Sequence, residues 1–69
     1  MSATITVNGE VRDWKAQSMG ELLTGDGIET GQGGLAVARN SSVVPREKWD
    51  QTAVEPDDKI EIVQIVRGG

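Results

Sequence analysis

The 69-residue sequence contains no cysteine and no histidine. Disulfides and the usual nitrogen and sulfur ligands of zinc are therefore excluded. The commonest acid–base and nucleophilic side chains are missing as well, so a pair of carboxylates is the remaining catalytic option. This inventory predicts low catalytic capacity, and a compact enzyme that uses paired carboxylates stays an alternative.

Basic residues and long apolar stretches are also scarce. Seven Lys and Arg residues face eleven Asp and Glu residues, for a net charge of −4, whereas nucleic-acid binding requires a basic surface. No apolar stretch approaches the roughly 20 residues that cross a bilayer. The polar, alternating N-terminus lacks the features of a signal peptide. We expect a cytoplasmic protein that binds neither nucleic acid nor a membrane.

The length allows one small domain with a limited core. Folding of a chain this short buries only about 60% of the surface that the unfolded chain exposes. We assign residues 1–66 to this domain and residues 67–69 to a flexible C-terminal tail. The chain has no repeat and no linker.

Alternating residues on both sides of an Asn-Gly pair predict an N-terminal β-hairpin. A two-residue loop, Asn8 and Gly9, would place Val7 opposite Glu10. A three-residue loop would place Val7 opposite Val11. We favour the longer loop with a bulge, because it keeps the apolar residues on one face.

The segment Ser18–Glu21 has the S-x-x-E pattern of a capping box, which predicts a helix start. An apolar stripe follows at Met19, Leu22 and Leu23, and Gly25 is the predicted C-terminal stop. Residues 26–34 are rich in glycine, and residues 31–36 fit the G-x-G-x-x-A pattern of dinucleotide-binding loops. This segment leads into a predicted strand rather than a helix, so we interpret it as a loop.

The second half of the chain alternates short elements with turns. Residues 43–44 form a predicted short strand, and Pro45 opens a helical turn that brings Trp49 to the core. The last strand is predicted for residues 60–66. One helix crossing a mixed sheet gives an α+β domain.

Charged clusters in this half are interpreted as surface features. Glu55, Asp57 and Asp58 lack the ligand spacing of a calcium loop, so a solvated turn is favoured over a metal site or an acid–base pair. The basic residues Arg39, Arg46 and Lys48 form no continuous stripe. They are expected to be surface charges or partners in local salt bridges.

The last strand is apolar on both faces, although one helix covers only one face of a sheet. We therefore predict an exposed docking patch at Val63 and Ile65. The alternative is a central strand buried on both faces by loops.

The chain ends Arg67-Gly68-Gly69. Gly69 lacks a Cβ atom, so its carboxylate fits a narrow enzyme channel, and the three residues reach roughly 10 Å when extended. The alternative is an ordinary frayed terminus. We predict that Arg67 and Gly68 form a tether and that the Gly69 carboxylate is the substrate of another protein.

Several segments match one known family: Val7-Asn8-Gly9, residues 35–40, V-P-R-x-x-W from Val44 to Trp49, residues 60–63, and Gly68-Gly69. Together they resemble the ThiS family of sulfur carriers in thiamine biosynthesis, over essentially the whole chain. The resemblance implies a β-grasp, ubiquitin-like fold. One departure is Asp57-Asp58, where the family commonly has Gly-Asp, which bears on the conformation of that turn.

The resemblance also implies a mechanism in which this protein is a co-substrate rather than an enzyme and binds no cofactor of its own. A ubiquitin-activating-type adenylating enzyme would use MgATP to adenylate Gly69, and a desulfurase system would supply sulfur. The resulting thiocarboxylate would donate its sulfur to thiazole formation on thiazole synthase. The alternatives are a carrier like the small subunit of molybdopterin synthase, a ubiquitin-like protein modifier, and a plain binding module.

Overall fold

The structure is a computed structural model that describes residues 2–31 and 33–64. The elements, in chain order, are strand β1 Thr4–Val7, strand β2 Glu10–Asp13, helix α1 Met19–Gly25, strand β3 Leu35–Arg39, strand β4 Ser42–Val43, a 3-10 helix Arg46–Gln51, and strand β5 Lys59–Gln64. The five strands form one mixed sheet in the order β2-β1-β5-β3-β4, with β1 and β5 parallel and the other pairs antiparallel. This architecture confirms the predicted α+β class and the β-grasp arrangement.

The core lies between the sheet and the two helical elements. Its buried residues are Ile5, Val7, Met19, Leu22, Leu23, Val37, Trp49, Val54 and Ile60. Trp49 is only 4% exposed, which confirms that the residues after Pro45 return to the core. The helical turn is a 3-10 helix that begins at Arg46, one residue later than predicted.

The hairpin has the two-residue loop, so the predicted three-residue loop is wrong. Val7 pairs with Glu10, and Asn8 and Gly9 have φ values of 51° and 82°. Two consecutive positive φ angles are typical of the tight turn that matches the twist of the flanking strands. Val11 is consequently 67% exposed on the outer face of the sheet, since turn geometry outweighed the pairing of apolar residues.

Helix α1 begins as the sequence predicts. The Ser18 hydroxyl accepts a hydrogen bond from the backbone N–H of Glu21 at 3.1 Å, and the Glu21 carboxylate accepts one from the N–H of Ser18 at 2.9 Å. Gly25 is the last helical residue rather than the stop. The left-handed position is Gly27, with φ 78°, where the chain turns away in a Schellman-type cap.

Gly20 is explained by packing. A glycine inside a helix costs up to about 1 kcal/mol relative to alanine. Gly20 is buried, and a Cβ atom there would overlap Oδ1 of Asp50 in the 3-10 helix. The missing side chain therefore allows the two helical elements to approach each other.

The turn before β5 differs from the solvated turn predicted for its carboxylates. Glu55 and Asp57 are exposed, but Asp58 is buried, with 4% exposure. Its carboxylate pairs with Arg39 and Asn40 across the sheet, so Arg39 forms a local salt bridge. Asp57 has φ 69°, a left-handed conformation that favours glycine.

The predicted domain boundary and the expected absence of a membrane span are considered against residues 2–31 and 33–64. The boundary proposed between residues 66 and 67 lies outside them. Within residues 2–31 and 33–64, no helix has the length and apolar character needed to cross a membrane.

Candidate functional site

The candidate site is built on β5, which leads directly to the C-terminus. β5 lies in the middle of the sheet, between β1 and β3. It is therefore hydrogen-bonded to a neighbouring strand on each side. Among the predicted site residues, Val63 lies within β5, while Ile65, Arg67, Gly68 and Gly69 lie outside the described residues. Their roles stay predictions.

The two faces of β5 have different environments. Ile60 is fully buried and Ile62 packs against the core. Val63 points the other way and is 54% exposed. This confirms an uncovered outer face at Val63 and excludes the alternative that loops bury both faces of the strand at this position.

The neighbouring strands extend this exposed apolar surface. Ala36 of β3 lies directly opposite Val63, and Ala38 lies opposite Val43 of β4. Val43 is 76% exposed. We call these four residues, Ala36, Ala38, Val43 and Val63, the outer patch. The sequence indicated the strands, but only their register shows that Val43 joins the patch.

The V-P-R-x-x-W segment has a structural role next to this sheet. The indole N–H of Trp49 donates to the carbonyl of Val44 at 2.9 Å. The Arg46 guanidinium lies 5.0 Å from the centre of the Trp49 ring and donates to the carbonyl of Thr30. The segment thus attaches the 3-10 helix to the glycine-rich loop.

Comparison with known proteins identifies the family. The family model described as "ThiS family" matches residues 5–69, which is nearly the whole chain and includes the terminal glycines. The chain belongs to the ThiS family.

Individual relatives agree with membership of the ThiS family. A protein named sulfur carrier protein ThiS from Escherichia coli is 40% identical over 53 residues, covering 77% of each chain. A thiazole synthase from Paramagnetospirillum magneticum is 38% identical over 94% of this chain. The chain spans about one fifth of the length of that thiazole synthase, with 20% covered.

Solved structures of ThiS show the same fold. The crystal structure of ThiS from Geobacter metallireducens has a TM-score of 0.76 and 28% identity, covering 96% of this chain and 99% of that one. An NMR structure of a thiamine biosynthesis protein from the same organism gives 0.76 and 29%, with 96% and 87% covered.

Asp58 is a buried charged residue of this ThiS-family chain. Burial alone would raise the pKa of Asp58. Hydrogen bonds from Arg39, the Glu55 backbone and Asn40, together with the charge of Arg39, outweigh burial and lower this pKa below its ordinary value. Asp58 is therefore a structural anion rather than a proton donor. In the part of the chain that the structure describes, no cluster of three or more carboxylates could hold a metal ion.

Proposed function

We propose that this protein is a sulfur carrier for thiamine biosynthesis, and that sulfur is carried as a thiocarboxylate on Gly69. The observation that carries the proposal is the ThiS family match, which extends through Gly69. The 40% identity to the sulfur carrier protein of Escherichia coli supports the same function. The protein is a co-substrate in this scheme, and the catalysts are its partners.

The chemistry requires activation of an unreactive carboxylate. The Gly69 carboxylate attacks the α-phosphate of MgATP in a ubiquitin-activating-type adenylating enzyme, and pyrophosphate leaves. The terminal sulfur of a persulfide, supplied by a desulfurase system, attacks the acyl-adenylate, and AMP leaves. A thiol of the donor system then attacks the donor-side sulfur of the acyl disulfide. A disulfide forms in the donor system, which is thereby oxidised, and the thiocarboxylate leaves. MgATP belongs to the adenylating enzyme, so the carrier itself binds no cofactor.

Thiazole synthase is the proposed sulfur acceptor. A relative with that name contains a segment 38% identical to nearly all of this chain, which supports a functional link between the two proteins. The cytoplasmic location expected from the sequence is part of the same proposal, because these reactions use ATP and reduced sulfur.

Docking of the partners is assigned to the outer patch. Val63 is its member on β5, and Ile65, two residues later in the sequence, is the predicted second docking residue. An exposed apolar surface on the strand that precedes the C-terminal residues in sequence lets a partner bind the domain while Gly69 enters its active site.

Intact-mass measurement tests the proposal directly. The carrier is incubated with MgATP, an adenylating enzyme and a sulfur donor, and a variant lacking Gly69 is the control. The expected result is replacement of one oxygen by sulfur in the full chain only, with an unchanged circular-dichroism spectrum for the shortened variant.

The outcomes separate the candidate functions. An unchanged mass with an enzyme that loads another carrier would overturn the sulfur-carrier proposal and leave a plain binding module. Loading followed by transfer to thiazole synthase supports the thiamine assignment. Transfer to molybdopterin synthase instead, or attachment to lysines, would favour the corresponding alternative.

A further inference from the structure

Strand β5 is held differently along its two edges. On one side it pairs with β3 along its length, as far as Gln64 opposite Leu35. On the other side it pairs with β1 only through Lys59 and Ile60. Strand β1 ends at Val7, where the hairpin turn begins.

The first residue of the hairpin turn continues this second edge. The backbone N–H of Asn8 donates to the carbonyl of Ile60 at 2.9 Å. The side-chain oxygen of Asn8 then accepts a hydrogen bond from the backbone N–H of Ile62 at 2.8 Å. The Asn8 side chain thereby supplies the acceptor that a further residue of β1 would supply if the strand continued. Ile62, the donor, directly precedes the exposed Val63.

The turn alone does not require this contact. Asn8 has φ 51°, a left-handed conformation that glycine, asparagine and aspartate adopt most readily. Glycine would preserve the turn without a side-chain acceptor, whereas aspartate would preserve both. These two substitutions therefore separate the role of Asn8 in the turn from its hydrogen bond to β5.

We propose that Asn8 is a positioning residue for the reaction at Gly69, because its side-chain bond to Ile62 fixes the point at which β5 leaves the β1 side of the sheet. The proposal rests on the proposed function. Gly69 lies seven residues beyond Ile62, roughly 23 Å along an extended chain. An anchored Ile62 restricts the positions that the Gly69 carboxylate reaches, so a larger fraction of docked carriers presents this carboxylate to the α-phosphate of MgATP.

The experiment compares Asn8→Gly and Asn8→Asp with the wild-type chain. Glu21→Ala is the control for stability, since it removes another exposed side-chain bond to a backbone N–H, that of Ser18, at the start of helix α1 and not on β5 or the hairpin turn. Two quantities are measured: amide hydrogen exchange at Ile62, and kcat and KM for MgATP-dependent adenylation of each carrier.

Asn8→Gly is expected to accelerate exchange at Ile62 selectively and to lower kcat about three- to tenfold, the effect of losing one hydrogen bond. KM should stay unchanged, because the outer patch is intact. Asn8→Asp should restore both quantities, and Glu21→Ala should leave both unchanged.

Provided that the wild type is adenylated, each of three results would overturn the positioning role of Asn8. These are an unaltered kcat for Asn8→Gly, an equal loss for Glu21→Ala, and failure of Asn8→Asp to recover activity. Absence of adenylation in the wild type would overturn the proposed function and the positioning role with it, which distinguishes the two failures.

Discussion

Nε of Arg39 donates a hydrogen bond of 2.7 Å to Oδ2 of Asp58, a carboxylate whose side chain is only 5% exposed. The same oxygen accepts from the backbone N–H of Glu55 at 2.8 Å, and Oδ1 accepts from the side-chain amide of Asn40 at 3.0 Å. The ion pair thereby joins the end of β3 to the turn that starts β5. The first part of the strand that leads to the C-terminus is fixed by this network.

Asp58→Asn is expected to lower the free energy of unfolding by about 2–3 kcal/mol, the cost of losing hydrogen bonds to a charged group. An amide at this position turns a donor toward the donors of either Arg39 or Asn40. Asp57→Asn is the matched control, because Asp57 is exposed and asparagine tolerates its left-handed backbone. Its effect should stay within about 0.5 kcal/mol, and urea unfolding measures both. Equal effects of the two substitutions would show that the Asp58 network contributes little.

Low pH should reduce the free energy of unfolding, because the Asp58 carboxylate becomes protonated. The pKa of Asp58 is lower in the folded chain than its ordinary value, so the unfolded state binds its proton first as the pH falls. The stabilisation is complete above the unfolded pKa of about 3.9 and is lost as the pH falls through the folded pKa. Urea midpoints of wild type and Asp58→Asn, measured from pH 7 to pH 2, should therefore converge below about pH 4. A constant difference across this range would contradict the expected shift.

Val63→Lys should impair docking without unfolding the domain. Val63 is exposed, so a lysine there extends into solvent in the free protein, but it must be desolvated against an apolar partner. KM for the carrier in adenylation should rise about tenfold or more, as expected for a central interface residue. Val11→Lys is the matched control on β2, where Val11 occupies the same outer face. Equal KM values for the two variants would remove Val63 from the docking surface.

Trp49→Ala should destabilise the domain by about 3–5 kcal/mol. Trp49 is buried, and its truncation leaves a cavity and an unpaired Val44 carbonyl. For a chain of this size, the loss amounts to a large part of the total stability. Thermal melting followed by far-UV circular dichroism measures the effect. A melting curve equal to that of the wild type would mean that Trp49 does not hold the 3-10 helix to the core in solution.

Local signals in the sequence predicted the elements whose formation depends on neighbouring residues. The Ser18–Glu21 capping box uses side chains only three positions apart, and the structure contains both of its hydrogen bonds. The Asn8-Gly9 pair likewise predicted a hairpin. Its loop is one residue shorter than predicted, because the backbone geometry that Asn8 and Gly9 favour outweighs apolar pairing of Val7 with Val11.

Contacts between residues far apart in the chain could not be predicted from the sequence. The Arg39–Asp58 pair spans 19 positions and the Asn8–Ile62 bond spans 54. Their residue types are equally compatible with exposed turns. Membership of Val43 in the outer patch likewise depends on the β3–β4 register.

The amino-acid sequence is sufficient to show that cysteine and histidine chemistry is absent, that one short helix accompanies several strands, and that a Gly68-Gly69 pair follows the last strand pattern. These properties follow from composition and from periodicity along the chain. The three-dimensional fold sets the burial of Asp58, the exposure of Val63 and the hydrogen bond from β5 to Asn8. Burial and pairing depend on which strands become neighbours, and that choice is made by the packing of the whole domain.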